Sequence, residues 1–445
     1  MNEILALTHS FVPLLSKTSL RQLRQIILGL LCISGRITTL GLSRWTEKGG
    51  SHRTLQRWMQ TTLNWELLLW TVVREHLLSP NREYLLAGDD VVVSKAGKQT
   101  HGLGKFFSSI AQRVIPSLSF FVVALIDVKE RRAYPLQVTQ HMPSARAKSK
   151  SKSKSKSKSK SKRPPGRPKG SKNHVKTPPP LTPELARIER TIRDCLSRIA
   201  MLKVKWIALD GFFGNYPAVS MILACGLDII SKLRHNAALY LPYTGPKPAR
   251  GATPRYGEKL DYAHLPPESL SKTVIEGDVC TATYHLKVLH KDFQAALNVA
   301  IIVKTNLKTG KHGHVILFST DLALTAEQIV DYYSLRFQIE FNFRDAKQYW
   351  GLEDFMNVSA QAVTNAVNLA FLMVNLSAAM LRDPQRRQAG FSVLDLKTHF
   401  RTRRYLAETI KCLPVSPDEH LISRLWHKLT ALGGIRAHFF TSFSP

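Results

Sequence analysis

Three acids stand where a chain could use them for phosphodiester chemistry. Asp89 and Asp210 lie at or just past the ends of short apolar, strand-like runs, Tyr84-Leu85-Leu86-Ala87-Gly88 and Lys205-Trp206-Ile207-Ala208-Leu209, and Glu340 sits in a long helical stretch. Attack on a phosphodiester develops charge on both the entering and the leaving oxygen. Two Mg²⁺ ions about 3.5–4 Å apart stabilise both and lower the pKa of the attacking water. Such a hard cation prefers oxygen ligands and keeps several waters, so a few carboxylates suffice to hold it, and Mn²⁺ could substitute. Three acids alone are a weak pattern, because a chain of 445 residues offers many such sets.

The helical stretch makes the pattern stronger. From Tyr333 it reads Y-S-L-R-F-Q-I-E-F-N-F-R-D-A-K. At about 100° per residue, Tyr333, Arg336, Glu340 and Lys347 fall within one arc of about 60°. Leu335, Ile339, Phe343, Ala346 and Trp350 fall on the opposite side. One face would anchor in a core while the other presents a carboxylate among two cations and a phenol, groups suited to DNA phosphates beside metal ions. A solvated face carrying i,i+4 and i,i+7 charge pairs would give the same pattern. Asp90 rivals Asp89, since adjacent strand residues point to opposite faces and only one of them can join the set.

The elements that must position these residues divide the chain into seven stretches. Residues 1–80 are expected to be helical, with Ser51 capping a helix over His52–Gln60 whose Arg53, Gln56, Arg57 and Gln60 face outward. The preceding helix around Thr38–Trp45 and the break at Lys48-Gly49-Gly50 suggest a helix-turn-helix in which Arg53 and Arg57 meet DNA; an ordinary helical bundle remains open. Residues 81–142 hold the first strand and a hairpin, with strands over Leu118–Asp127 and Ala133–Thr139. Residues 181–234 add a helix from Pro183, the Asp210 strand, a helix and a further strand. Residues 235–322 are strand-rich. Residues 323–355 form one long helix capped by Thr325, and 356–445 read as about three helices.

Between the two halves, residues 143–180 are a different material. Lys148 to Lys162 is a strict Lys-Ser alternation, which cannot bury apolar area and is expected to be a disordered basic linker. Its Gly166-Arg167-Pro168 core is similar to an AT-hook, in which Arg167 would enter a minor groove, although Pro165 stands where a first arginine is usual.

Charge narrows the partners. Sixty-three Lys and Arg against thirty-two Asp and Glu give a net charge of +31. Residues 146–176 supply fourteen of the cations and no acid, and without them the net charge is still +17. A field of that sign points to nucleic acid. Five cysteines with no C-x-x-C exclude a zinc ribbon or a disulfide framework and suit the cytoplasm. The apolar stretch Ala366–Leu381, interrupted by Asn368, Asn375 and Ser377, reads as a core helix, so no membrane partner is expected.

Strand, hairpin, linker, helix, strand with Asp, helix, strand, insertion and acidic helix is the element order of an RNase H-like fold. The spacing Tyr333-x2-Arg336-x3-Glu340-x6-Lys347 resembles, position for position, the Y-(2)-R-(3)-E-(6)-K signature of a large group of bacterial insertion-sequence DDE transposases. Leu86-Ala87-Gly88-Asp89-Asp90 through Lys95-Ala96-Gly97-Lys98 resembles their first-aspartate block, with Val91 where Thr is common. Leu209-Asp210-Gly211-Phe212-Phe213-Gly214-Asn215 resembles their second. The likeness covers residues 80–355. It implies an α/β fold: an RNase H-like catalytic core with an inserted β-rich segment, flanked by N- and C-terminal helical regions. It also implies metal ligation by Asp89, Asp210 and Glu340, and DNA-backbone contacts from Tyr333, Arg336 and Lys347. The reaction implied is cleavage of element ends and joining of their 3′-hydroxyls to target DNA. A homodimer on paired double-stranded ends, at the nucleoid, is the expected assembly. A noncatalytic DNA-binding relative would use the same surfaces. Some relatives stack a flipped base on a Trp of the insertion, but this chain has none between Trp206 and Trp350, leaving Tyr243, Tyr256, Tyr262 or Tyr284 for that task.

Overall fold

Helix caps written into the sequence set the N-terminal region. In the computed structural model, which describes residues 2–46, 50–108, 111–143, 180–293, 295–415 and 417–431, five α-helices precede the first strand, with a 3₁₀ turn at His9–Phe11 and a π-helical turn at Val73–Leu77. They are α1 (Asn2–Leu7), α2 (Lys17–Cys32), α3 (Thr39–Ser43), α4 (His52–Trp58) and α5 (Trp65–Val72). Ser16, Thr38, Ser51 and Asn64 each accept a backbone N–H from the first turn of the helix they precede, filling donors that the helix itself cannot. The apolar stripe of α2, from Leu20 to Leu31, is buried. On α4, Leu55 and Trp58 are buried while Arg53, Gln56 and Arg57 are exposed, as the spacing predicted.

Among the described residues, twelve strands form one sheet: β1 (Tyr84–Ser94), β2 (Gly104–Ser108), β3 (Arg113–Asp127), β4 (Arg132–His141), β5 (Trp206–Leu209), β6 (Asp228–Leu233), β7 (Leu239–Pro242), β8 (Tyr256–Lys259), β9 (Leu270–Glu276), β10 (Val279–His290), β11 (Leu297–Asn306) and β12 (His312–Ser319). β3 runs antiparallel between β1 and β4, while β5 and β6 run parallel to β1 and to each other. The resulting order β4-β3-β1-β5-β6 in a mixed sheet with helices fits the RNase H-like expectation at the level of architecture. Helices α6 (Pro183–Arg198) and α7 (Tyr216–Ala224) lie between strands in sequence and pack on β3, β4 and β6.

Several boundaries differ from expectation. β1 does not stop near Asp89 but runs on to Ser94, held throughout by β3. The strands of residues 235–322 do not form a separate layer; β12 pairs with β6, and β11 and β10 continue the same sheet. β2 and β7–β9 are short or exposed strands with little apolar periodicity to announce them. β9 is exposed along its whole length. The predicted long helix after Thr325 is two helices, α8 (Ala326–Leu335) and α9 (Gln338–Trp350). Four described helices follow instead of about three: α10 (Ala360–Leu381), α11 (Pro384–Gln388), α12 (Val393–Lys411) and α13 (Glu419–Ala431).

α10 is long and apolar enough to cross a membrane by length and composition, yet 83% of its most apolar window is buried within the protein. Its asparagines explain why it sits inside a polar-studded core. Asn365 donates to the Met59 and Thr61 carbonyls and accepts from the Trp65 indole N–H, and Asn375 donates to the Pro135 carbonyl. Buried amides are tolerated when bonded in this way, and here they tie the N-terminal helices and β4 to one central rod. The Lys-Ser segment and Arg167 lie outside the described residues.

Candidate active site

Register brings two of the acids together. Gly88 on β1 pairs with Leu209 on the parallel strand β5, so Asp89 and Asp210 each take the next position on neighbouring strands and share a face. The glycine is needed there: a Cβ on Gly88 would come 2.7 Å from the buried Phe121 ring and 3.0 Å from Leu209. After Asp210 the chain turns sharply. Its carboxylate accepts the Phe212 N–H, and Gly214 passes so close to β6 that a Cβ would lie 2.3 Å from the Lys232 carbonyl. The aromatic-Gly turn of the second block is thus a packing requirement, with Phe213 buried and Phe212 exposed.

The third acid arrives from α9, whose Ile339, Phe343, Ala346 and Trp350 are buried against the core as the helical spacing predicted. Glu340 does not reach Asp89 directly. The Arg336 guanidinium lies between them, one terminal nitrogen 2.6 Å from Asp89 and the other 3.3 Å from Glu340. Arg336 also sits 5.9 Å from the centre of the Tyr333 ring. Its Nε is buried and has no hydrogen-bond partner. Burial pushes the Asp89 carboxyl up to about 6; Arg336 and the Asp90 N–H pull it down, and the charges of Asp210 and Glu340 push it further up. The three acids therefore feel one another.

Asp90 belongs to the other face. The groups whose charges act most on it are Arg187, Glu184 and His141, from α6 and the end of β4. Arg187 there donates to the Thr139 carbonyl at 3.3 Å. The alternation of the strand separates the two aspartates, and it is Asp89 that joins Asp210, Arg336 and Glu340.

Lys347 is on the predicted face but is engaged within the protein. Its ammonium lies 2.9 Å from the Val92 carbonyl of β1 and 3.1 Å from the Glu353 carboxylate. A second lysine, Lys95, donates to the Glu353 and Phe355 carbonyls and covers the Phe355 ring at 3.4 Å. Sequence reasoning gave Lys95 no role beyond the block it belongs to, since its partners are backbone oxygens some 260 residues away. Burial lowers its pKa to about 8. The two lysines fasten the end of the acid-bearing helix to the acid-bearing strand.

Arg53 and Arg57 line one wall of a groove of about 910 Å³, together with Gln56 and Gln60. Met356 and Val358, both exposed, line the facing wall. Of the tyrosines that could take a base, Tyr262 is stacked on His314 and hydrogen-bonded to the Ala237 carbonyl, Tyr256 packs edge-on against Tyr240, and Tyr284 is packed against the core. Tyr243 donates to Pro246.

Among the described residues no three His, Cys, Asp or Glu side chains are gathered closely enough to form a ready metal cage. The donor set nevertheless fits a hard divalent cation. All three acids supply oxygen, two are level on adjacent strands, and the cluster already holds one cationic group among its carboxylates. The five cysteines are all free.

A family model described as DDE superfamily endonuclease matches residues 10–289, which spans α2–α5, Asp89 and Asp210 and ends within β10, before Glu340. No curated protein matches the chain.

Proposed function

Because the chain belongs to the DDE superfamily endonucleases, we propose that it is an insertion-sequence transposase. In this reading it cleaves element ends and joins the freed 3′-hydroxyls to target DNA. The observation that carries the proposal is Arg336 bridging Asp89 of β1 and Glu340 of α9, with Asp210 level with Asp89 at the end of the neighbouring parallel strand. The Tyr333–Lys347 spacing supports the finer assignment, and strands β7–β12, standing between Asp210 and Glu340 in sequence, are read as the insertion of such an enzyme.

Asp89, Asp210 and Glu340 would hold Mg²⁺, which would neutralise charge on the attacking and leaving oxygens and activate water. The protein's own groups do the rest. Arg336, with its forked donors, and Tyr333 bind a backbone phosphate beside the acids. Lys347 and Lys95 keep α9 seated on β1, so that Glu340 stays in reach of the aspartates. Arg53 and Arg57 on α4 hold the duplex outside the reaction centre, where the overall positive charge adds sequence-independent affinity. Joining two ends to one target requires both ends in one complex, which a homodimer provides.

The test is an end-cleavage and strand-transfer assay in Mg²⁺ on DNA carrying the element's flanking ends. Wild type should nick at the ends and insert them into a target plasmid. Asp210→Asn and Glu340→Gln should bind the same DNA without cutting it. A wild-type protein that binds ends but cuts in neither Mg²⁺ nor Mn²⁺ would leave only a noncatalytic DNA-binding role.

A further inference from the structure

The residue between the acids stands at an unusual point of the chain. α8 ends at Leu335 and α9 begins at Gln338, with no proline or glycine to break them. At the junction the N–H groups of Arg336, Phe337, Ile339 and Glu340 bond to carbonyls three residues back rather than four. Such a tightened 3₁₀ turn inside a helical run is held by poorer hydrogen bonds than the α-helix on either side. Phe337, next to Arg336, is 49% exposed and meets the Phe341 ring of α9 edge-on, so on that side the junction is not buried in the core. Arg336 itself is anchored by its two carboxylates, while its buried Nε has no partner.

Arg336 holds one oxygen of each carboxylate, and the other Asp89 oxygen accepts the Asp90 N–H. Mg²⁺ binds carboxylate oxygen at about 2.0–2.1 Å, so a cation on the Asp89 oxygen that Arg336 already holds would stand within about 5 Å of the guanidinium. In a partly buried site that repulsion is weakly screened.

Resting on the transposase reading above, we infer that Arg336 is an internal counter-cation that closes the acid set in the free protein and must withdraw before Asp89 and Glu340 bind a divalent cation together. A DNA backbone phosphate is the group that takes it, because a phosphate offers the planar fork two acceptors and satisfies the spare Nε donor as well. DNA binding and cation loading then become one linked event. By reciprocity each strengthens the other. A protein that holds its cation weakly until DNA arrives would not cut indiscriminately.

The experiment is a Mn²⁺ titration of the free full-length protein without DNA, followed by the loss of the free-ion paramagnetic resonance signal. Arg336→Met should bind Mn²⁺ about tenfold or more tightly than wild type, and Arg336→Gln should do the same should the methionine variant fail to fold. Arg336→Lys, which keeps the charge but loses the fork, should fall between. Arg344→Met, which removes an exposed cation of α9 paired with Asp345, should change affinity by less than about twofold, separating occupation of the acids from general charge. Equal or weaker Mn²⁺ binding in both neutral variants overturns the inference. So does equal tightening in Arg344→Met. Asp89→Asn and Glu340→Gln in the same titration keep the two readings apart. If they lose Mn²⁺ while the Arg336 variants do not tighten, the metal site stands and the counter-cation role falls. If they bind as wild type does, the metal-site reading itself fails.

Discussion

The two faces of β1 carry the same chemistry one residue apart, and they are not equivalent. Each presents an aspartate, each aspartate is met by the charge of an arginine from a helix, and burial raises both carboxyls above the ordinary range. On the Asp90 side, Arg187 comes from the uninterrupted helix α6 and is bound to the Thr139 carbonyl; the acids whose charges reach Asp90 are Glu184 and, more weakly, Asp210. On the Asp89 side, Arg336 comes from the junction between two helices, bridges two carboxylates, and has a third, Asp210, on the adjacent parallel strand. An aspartate beside an arginine is thus ordinary protein electrostatics. A site requires several acids converging on one point, with a cation that has somewhere else to go.

The comparison breaks most readily at the acids supplied by other elements. Asp210→Asn and Glu340→Gln should each lower single-turnover cleavage by about 10³-fold or more, the loss expected when a metal ligand worth several kcal/mol in the transition state is removed. A loss of only a few-fold in quantified nicking would show that the acids are bystanders.

A second prediction follows from the state of Asp89. Burial and its neighbours hold its carboxyl near about 6 rather than at the ordinary 3.8, so protonation competes with the cation below that pH. Cation affinity should be at full strength above about pH 6 and fall roughly tenfold for each unit below it, since a bound ligand must first lose its proton. Mn²⁺ titrations at successive pH values would reveal this slope. An affinity flat between pH 5 and 7 would mean that Asp89 does not ligate.

The strand geometry that aligns the two aspartates can be perturbed without touching them. Gly88→Ala must push on the buried Phe121 ring. It should cost about 1–3 kcal/mol of stability, read as a lower melting temperature, with cleavage reduced in the surviving folded fraction. Lys347→Met removes the donor that joins α9 to the Val92 carbonyl and should cost only about 1 kcal/mol. The smallest effect is expected at Arg53→Ala or Arg57→Ala. Each should reduce the salt dependence of DNA binding by about one unit of slope and leave the cutting rate at saturating DNA unchanged.

Much of this architecture was legible in the sequence where a local rule applied. Ser51 and Thr325 announced their helices because a hydroxyl before an apolar run has one obvious task, and both cap as expected. The apolar stripe from Leu335 to Trp350 fixed which side of α9 is buried. The residues themselves showed the choice between Asp89 and Asp90 only as an alternation, and the family resemblance favoured Asp89; which face held the partners depended on the pairing of β1 with β5, a contact across some 120 residues. The break at Arg336–Phe337 was invisible, because no proline or glycine marks it and both residues keep right-handed helical angles. Lys95 was equally hidden, since backbone carbonyls on a distant loop leave no trace in residue type.

The most direct test of the account places the two neighbouring aspartates side by side. Asp89→Asn and Asp90→Asn should be compared in single-turnover cleavage of one end-bearing duplex in Mg²⁺, at equal DNA occupancy. The account predicts that Asp89→Asn abolishes cutting while Asp90→Asn stays within a few-fold of wild type. The reverse pattern, or equal loss in both, would contradict the assignment of the catalytic face.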